Sequence, residues 1–250
     1  MKPTANPAVP PALLHQALPS MSVTEWALAA GYDGVIVDLQ HGEVGLEAAC
    51  GMLRAIPRSV AYAYARVGSI DAGPILRLLD SGARGIIAPT VESADQAAAL
   101  VAATKYLPLG NRSLGPSRPG LYPGEVYTEA GNAAVSTIAQ IETAIGVDHA
   151  EQIVTVQGID SIYIGPADLA VSYGLPGRGD WTEGPVREAI DHVSRLAHAH
   201  GKTVGIYSGT PAYAADLLHR GLIDYVGLGI DLVLLNRSLQ ESVAALRGKQ

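Results

Sequence analysis

The sequence predicts a single (β/α)8 barrel, in which eight parallel strands close into a cylinder surrounded by helices. Along its 250 residues, short β-branched runs alternate with Ala- and Leu-rich segments of helical spacing, which is the order expected of β-α units. The strand runs are apolar throughout, as is typical of a parallel sheet covered on both faces. The length also suits one barrel of this kind, so we expect one domain over residues 1–250.

Seven strands are clear in the sequence, and an eighth is expected around residues 13–18, where the pattern is poor. Several helical segments end in glycine followed by a new strand, which is a common signal for a helix C-terminus. The clear strands are predicted at residues 34–38, 60–66, 85–89, 137–142, 161–165, 203–207 and 225–229. Helices are predicted at residues 47–55, 75–80, 93–104, 147–155, 185–200 and 211–220.

An open, doubly wound sheet is the alternative fold. Its nucleotide-binding version has little support, because no GxGxxG motif follows the first clear strand and no GxxxxGK motif followed by Ser or Thr occurs. The first residues, about 1–12, are rich in proline and lack an apolar core, so we expect a loose arm and not a signal peptide. The segment 108–132 is too long for an ordinary connection and is expected to be a lid or an interface loop.

The composition limits the possible partners. The net charge is −7 with no basic cluster, which argues against nucleic acid and against an anionic membrane surface. Apolar residues make up 48% and charged residues only 16%, so we expect a homo-oligomer interface, with one unusually large core as the alternative. The single cysteine, Cys50, excludes a disulfide framework, and no apolar stretch approaches a membrane span. A soluble, cytoplasmic protein is expected.

Ionisable residues follow several predicted strands at the point where each strand ends. Asp38 and His41 end the first clear strand, Arg66 the next, and Glu142 and Asp168 end later ones. In a barrel, these ends form the mouth where active sites lie. A carboxylate beside an apolar core is costly unless it is paired or bound to a metal, so Glu142 and Asp168 indicate a hard cation with oxygen ligands.

Simpler interpretations exist for the other three residues. Asp38 could cap a helix or a turn, and Arg66 could be a structural ion-pair partner of Asp38. His41 alone is more often a surface or turn histidine. Taken together with the two carboxylates, the five groups favour an active site.

Four segments, at residues 31–42, 82–97, 140–174 and 201–231, resemble the HpcH/HpaI family of class II, metal-dependent pyruvate aldolases. The most specific motifs are QIET at 140–143 and IGPADL at 164–169. The resemblance implies a (β/α)8 barrel of the phosphoenolpyruvate/pyruvate type. It also implies a hexamer built as a trimer of dimers, with a C-terminal helix packed on or exchanged with a neighbour.

The resemblance assigns roles to individual residues. The implied metal ligands are Glu142 and Asp168, which would hold Mg²⁺, Mn²⁺ or Co²⁺. The implied substrate-binding residues are Gln140, Gly165, Pro166 and Ala167. The implied catalytic residues are His41 as the base, Arg66 over the keto oxygen, and Asp80, which would come from an adjacent subunit to pair with the histidine.

Asp38 and Tyr207, which also lie at strand ends, are added as expected substrate contacts. Two interpretations are open for Tyr207 and for residues of the long segment, namely Arg112, Arg118 and Leu121–Tyr122. They could contact the aldehyde part of the substrate, but a position at a subunit interface is the favoured interpretation.

The implied reaction is reversible retro-aldol cleavage of 4-hydroxy-2-oxo acids to pyruvate, or hydroxypyruvate, and an aldehyde. An enolate stabilised by the metal and Arg66 would be the intermediate. A Schiff-base mechanism is disfavoured, because Lys202 is the only lysine adjoining a core strand and it stands at the strand's start. The alternatives are a CoA-thioester lyase of the citrate-lyase-like barrels and a non-catalytic barrel that binds a metal and a 2-oxo acid.

Overall fold

The computed structural model describes residues 10–115 and 127–248, without the side chain of Tyr127. Eight parallel strands, β1 to β8, pair in sequence order and close into a barrel through the β1–β8 pair, which confirms the predicted fold. Most of the N-terminal arm, together with Arg118, Leu121 and Tyr122, lies outside the described residues.

The seven clear strands were predicted to within two residues at either end, and the eighth lies in the region where it was expected. The hydrogen-bonded register places Asp38, at the end of β2, directly beside Arg66, at the end of β3. The strands are β1 Ala12–Gln16, β2 Gly34–Asp38, β3 Tyr62–Arg66, β4 Gly85–Ala88, β5 Ser136–Ile141, β6 Ser161–Ile164, β7 Thr203–Ser208 and β8 Tyr225–Ile230.

Helices follow the strands around the outside of the barrel. They are α1 Met21–Ala29, α2 Leu46–Ala55, α3 Ala72–Ser81, α4 Ala94–Thr104, α5 Tyr127–Ala134, α6 Ala144–Asp148, α7 Ala150–Val154, α8 Pro166–Ser172, α9 Gly184–Ala199, α10 Pro211–His219 and α11 Asp231–Leu246. The helix predicted at 147–155 is in fact two short helices, because the backbone leaves the helical conformation at His149. Helix α5 begins within the segment 108–132, which was predicted to be a lid or an interface loop, and extends two residues beyond it. Within the described residues, no helix is long and apolar enough to cross a membrane.

The barrel interior is filled by large side chains that pack against glycines. We call Tyr64, Tyr163 and Tyr225 the interior tyrosines; they are almost completely buried, together with Leu13, Ile36, Ile87 and Ile138. A side chain at Gly85 or Gly205 would overlap the ring of Tyr64 or Tyr225. These glycines are therefore needed for the close approach of the tyrosine rings.

Helix α11 differs from the other long helices because Asp231 is its only buried residue. The Asp231 carboxylate accepts hydrogen bonds from the backbone N–H groups of Ala17 and Leu18, at 2.9 and 3.0 Å. The rest of the helix exposes a series of apolar side chains, namely Leu232, Val233, Leu235, Leu239, Val243 and Leu246.

Candidate active site

A cleft of about 140 Å³ opens at the carboxyl ends of the strands. Seven of the residues predicted from the sequence line it: Arg66, Gln140, Gly165, Pro166, Ala167, Asp168 and Tyr207. Three further lining residues, His15, Tyr163 and Ile230, were not predicted. The location agrees with the general rule that barrel active sites form at this end.

The Glu142 carboxylate lies behind the cleft and is only 2% exposed. Its Oε1 accepts hydrogen bonds from the backbone N–H and the hydroxyl of Thr90, at 2.8 and 2.9 Å, and Gln140 Nε2 donates to its Oε2. Burial raises the pKa of Glu142, these hydrogen bonds offset the rise only in part, and the charge of Asp168 adds to it. A cation beside Glu142 would reverse this effect by favouring the ionised carboxylate.

Sequence reasoning missed Thr90. It is one of the two described non-glycine residues with positive φ, at 52°, which turns its N–H and hydroxyl toward the same carboxylate oxygen. No sequence signal marks a threonine for this conformation, which is uncommon for a β-branched residue.

Asp168 lies in the first turn of α8, with its carboxylate exposed at the cleft. Of the three residues before it, Pro166 has no N–H and the N–H of Gly165 already donates to the carbonyl of Ile141. Ala167 and Asp168 retain N–H groups that have no acceptor within the helix. A side chain at position 165 would overlap Glu142 Oε2, so glycine is required there.

Asp38 and Arg66 form a bidentate ion pair. Arg66 Nη2 donates to Asp38 Oδ2 at 2.6 Å, and Arg66 Nε donates to Oδ1 at 3.0 Å. Oδ1 also accepts from the backbone N–H groups of Gln40 and His41. Although burial opposes ionisation of both groups, the pair holds the pKa of Asp38 below and that of Arg66 above the usual values. The guanidinium therefore stays charged and fixed at the cleft.

The floor of the cleft contains a buried polar pair. His15 Nε2 and Tyr163 Oη are 2.6 Å apart, and the ring of Tyr207 packs edge-on against His15. Burial, followed by the charge of Arg66, lowers the pKa of His15 to about 3, so its ring is neutral at physiological pH. His15 follows two leucines near the end of β1, and the strand-end rule would have identified it if the expected strand at 13–18 had been ended at Gln16, where the structure ends it.

His41 and Asp80 are not brought together within one chain. His41 is exposed beyond the end of β2, at the mouth, and does not line the cleft. Asp80 lies near the end of α3, and the chain there leads into the start of β4, at the opposite end of the barrel. Its Oδ1 accepts a hydrogen bond from Arg112 Nη2 at 2.7 Å.

The donor groups at the cleft suit a divalent cation. No cluster of three or more His, Cys, Asp or Glu side chains with metal-binding geometry occurs in the described residues. The two carboxylates would therefore need oxygen ligands from substrate and water to complete six-fold coordination. In addition, Gln140 Oε1 is buried without a hydrogen-bond partner. An all-oxygen set of this kind fits Mg²⁺, Mn²⁺ or Co²⁺.

The two described lysines are far from this chemistry. Lys105 Nζ contacts Asp160 Oδ2 at 2.7 Å, and Lys202 Nζ donates to the carbonyl of Ile159 at 2.8 Å, both at the starts of strands. Neither lines the cleft. Lys2 and Lys249 lie outside the described residues.

Comparisons with known proteins extend over most of the chain. The sequence model of the family described as HpcH/HpaI aldolase/citrate lyase matches residues 12–236. A hydroxypyruvate/pyruvate aldolase from Rhizorhabdus wittichii is 37% identical over 92% of this chain and 91% of its own length. A 4-hydroxy-2-oxovalerate aldolase from Novosphingobium aromaticivorans is 36% identical over 86% and 82%. A solved HpcH/HpaI aldolase/citrate lyase family protein from Burkholderia cenocepacia superposes with a TM-score of 0.83 at 29% identity, covering 95% of each chain.

Proposed function

Because the chain belongs to the HpcH/HpaI aldolase/citrate lyase family, we propose that it is a divalent-metal-dependent aldolase, a carbon–carbon lyase. Its reaction is reversible cleavage of 4-hydroxy-2-oxo acids to pyruvate, or hydroxypyruvate, and an aldehyde. The observation that carries this proposal is the cleft lined by a fixed guanidinium, Arg66, and by Gln140 and Asp168, with the buried Glu142 carboxylate hydrogen-bonded to Gln140.

Glu142 and Asp168 would hold the cation, and the N–H groups of Ala167 and Asp168 would meet the substrate carboxylate. A bound divalent cation supplies Lewis-acid stabilisation of the negative charge that develops on the keto oxygen. Thr90 and Gln140 fix the Glu142 carboxylate, so that it does not have to reorient when the reaction begins. A hard cation would also relieve the cost of burying Glu142.

Arg66 would donate hydrogen bonds to the same keto oxygen. Two of its five N–H groups are held by Asp38, which leaves three donors, two of them on Nη1, for the substrate. A donor that is already fixed before charge develops stabilises the transition state without a cost of reorganisation. Asp38 thus contributes by positioning Arg66, and direct contact between Asp38 and substrate stays a prediction.

In the cleavage direction, His41 would take the proton from the C4 hydroxyl of the substrate. The C3–C4 bond then breaks, its electron pair becomes the C2–C3 double bond of the enolate, and the carbonyl of the aldehyde forms at C4. Protonation of C3 completes the 2-oxo acid. Asp80 from a neighbouring subunit would orient His41, because Asp80 of the same chain lies at the other end of the barrel.

The direct test is pyruvate release from 4-hydroxy-2-oxovalerate, with Mn²⁺ added and lactate dehydrogenase as the coupling enzyme. We expect turnover that stops with EDTA and returns with Mn²⁺ or Mg²⁺. Borohydride added with pyruvate should leave no covalent adduct, because no described lysine reaches the cleft.

The same preparation distinguishes the two alternatives. Release of acetyl-CoA from malyl-CoA, with no cleavage of the hydroxy-oxo acid, would support a CoA-thioester lyase instead. Binding of pyruvate and Mn²⁺ without any turnover would support a non-catalytic barrel.

The exposed apolar face of α11 supports a homo-oligomer, for which the hexamer of the family is the expected form. Asp80→Ala and Arg66→Ala proteins, each inactive alone, should regain part of the activity when their subunits are mixed and reassembled. Such recovery requires that Asp80 of one subunit serve the site of another. A mixture that stays inactive after verified subunit exchange would place Asp80 outside the catalytic machinery.

A further inference from the structure

The polar pair on the floor of the cleft is built into the barrel. His15 is 1% exposed and Tyr163 is fully buried, and they meet from β1 and β6. Gly227 of β8 makes room for them, because a side chain there would overlap both Tyr163 Oη and His15 Nε2. The pair therefore depends on a third strand that leaves space for it.

One polar atom of this pair lacks a partner. His15 Nδ1 is buried and makes no hydrogen bond. The Nε2–Cδ2 edge of the ring faces Gly227 and Tyr163, so Nδ1 lies on the other side of the ring. A buried polar atom without a partner is unfavourable, and in a residue that lines a cleft the missing partner can come from a ligand.

The surroundings restrict the chemistry of that ligand group. The imidazole is neutral and has one donor nitrogen and one acceptor nitrogen. Arg66 is close enough to lower the pKa of His15, which disfavours a cationic group. A methyl group would leave Nδ1 unsatisfied. A hydroxyl group satisfies Nδ1 in either tautomer, because it can donate or accept.

We propose that His15 Nδ1 binds a hydroxyl group of the substrate other than the C4 hydroxyl at which cleavage occurs, and makes this enzyme selective for substrates that carry this additional hydroxyl group. The inference rests on the proposed function and adds a specificity-determining residue to it. The hydroxyl group has two sources in an aldol reaction: C3 of the 2-oxo acid, as in hydroxypyruvate, or the aldehyde, as in glycolaldehyde. Both present the same chemistry to Nδ1.

The test measures kcat/KM for four condensations, with pyruvate or hydroxypyruvate as nucleophile and acetaldehyde or glycolaldehyde as acceptor. His15→Phe alone would leave the Tyr163 hydroxyl buried without a partner, so the test variant is His15→Phe/Tyr163→Phe. Replacing both partners by apolar groups of similar shape is much less disruptive. Tyr163→Phe alone is the matched control that keeps Nδ1.

In the double variant, the ratio of kcat/KM for the hydroxylated substrate over its unhydroxylated analogue should fall at least about tenfold, because a site built for a hydroxyl group rejects the analogue that lacks it. Tyr163→Phe should change the ratio less than about threefold. A fall confined to the nucleophile pair identifies the 2-oxo acid as the source, and a fall confined to the acceptor pair identifies the aldehyde.

Two results would overturn the assignment: neither ratio falls in the folded double variant, or Tyr163→Phe alone lowers the ratio as much as the double change does. Failure of the proposed function has a different signature. In that case the unmodified protein condenses none of the four pairs, whereas failure of this inference leaves its aldol activity in place.

Discussion

Arg66→Ala should impair catalysis and folding through separate mechanisms. Catalysis loses a fixed donor to the developing oxyanion, which is typically worth about 10²- to 10³-fold in kcat, or ~3–4 kcal/mol. The free energy of unfolding decreases because the Asp38 side chain, which is only 4% exposed, loses its ion-pair partner. Breaking a buried pair on one side costs about 3–5 kcal/mol. We expect the lower end of that range, because Asp38 Oδ1 keeps the N–H groups of Gln40 and His41.

The double variant Arg66→Ala/Asp38→Ala separates the two effects. Removing the unpaired Asp38 carboxylate as well should restore most of the lost stability and none of the activity. Urea unfolding at a fixed protein concentration measures the free energy of unfolding, and pyruvate release coupled to lactate dehydrogenase measures kcat. Mn²⁺ binding by calorimetry should be unchanged in Arg66→Ala. The reasoning fails if Arg66→Ala keeps kcat within tenfold of the unmodified enzyme, or if removing Asp38 rescues the activity.

Other features of the molecule lead to further expectations. Thr90→Val removes the hydroxyl hydrogen bond to Glu142 but keeps β-branching, so it should weaken Mn²⁺ binding about tenfold in calorimetry; unchanged affinity would show that Thr90 does not orient the carboxylate. Gly227→Ala overlaps Tyr163 and should cost about 1–3 kcal/mol in urea unfolding. Gly51 lies in α2 at a position where an added Cβ would meet no atom within 4 Å outside its own stretch of helix. Gly51→Ala should therefore raise the free energy of unfolding by about 0.5–1 kcal/mol, and equal effects of the two changes would contradict the packing argument. Burial raises the pKa of each interior tyrosine in the folded protein, so above about pH 10 the phenols ionise first in the unfolded chain. The free energy of unfolding should therefore be unaffected by them below about pH 10 and decrease above it by about 1.4 kcal/mol per pH unit for each of these tyrosines. Flat stability from pH 9 to 11 would contradict this expectation.

Most of the fold could be predicted from the sequence because seven strands are mainly apolar, although β5 also contains the buried polar residues Thr137 and Gln140. Strand β1 is the exception, since His15 and Gln16 interrupt its apolar pattern although both are buried. The partner of His15 lies far along the chain in β6, whereas the partners of Gln16 lie at the start of the following helix. His15 meets Tyr163, and Gln16 bonds to Thr24 and to the Ser20 carbonyl. A short apolar run followed by two polar residues looks like a loop in sequence, although here both polar side chains are buried and hydrogen-bonded.

The candidate site could be predicted where its residues lie at the ends of strands that the sequence makes recognisable. Asp38 and Arg66 end recognisable strands, and Glu142 and Asp168 lie one and four residues after such strands, so their position at the mouth could be inferred. Thr90 could not, because its contact with Glu142 depends on a left-handed backbone conformation.

Pairing between β1 and β8 also has a consequence for how the chain folds. Leu13 pairs with Gly227, and the Asp231 carboxylate holds the backbone of Ala17 across a sequence separation of 214 residues. Barrel closure therefore depends on contacts of very high sequence separation, which form slowly because the entropy of a long loop is lost first. During synthesis, one edge of β1 stays unpaired until β8 has left the ribosome, and unpaired strand edges promote aggregation. Chains that end before β8 should accumulate as insoluble protein, and yield should depend on temperature and chaperone supply more than stability alone predicts.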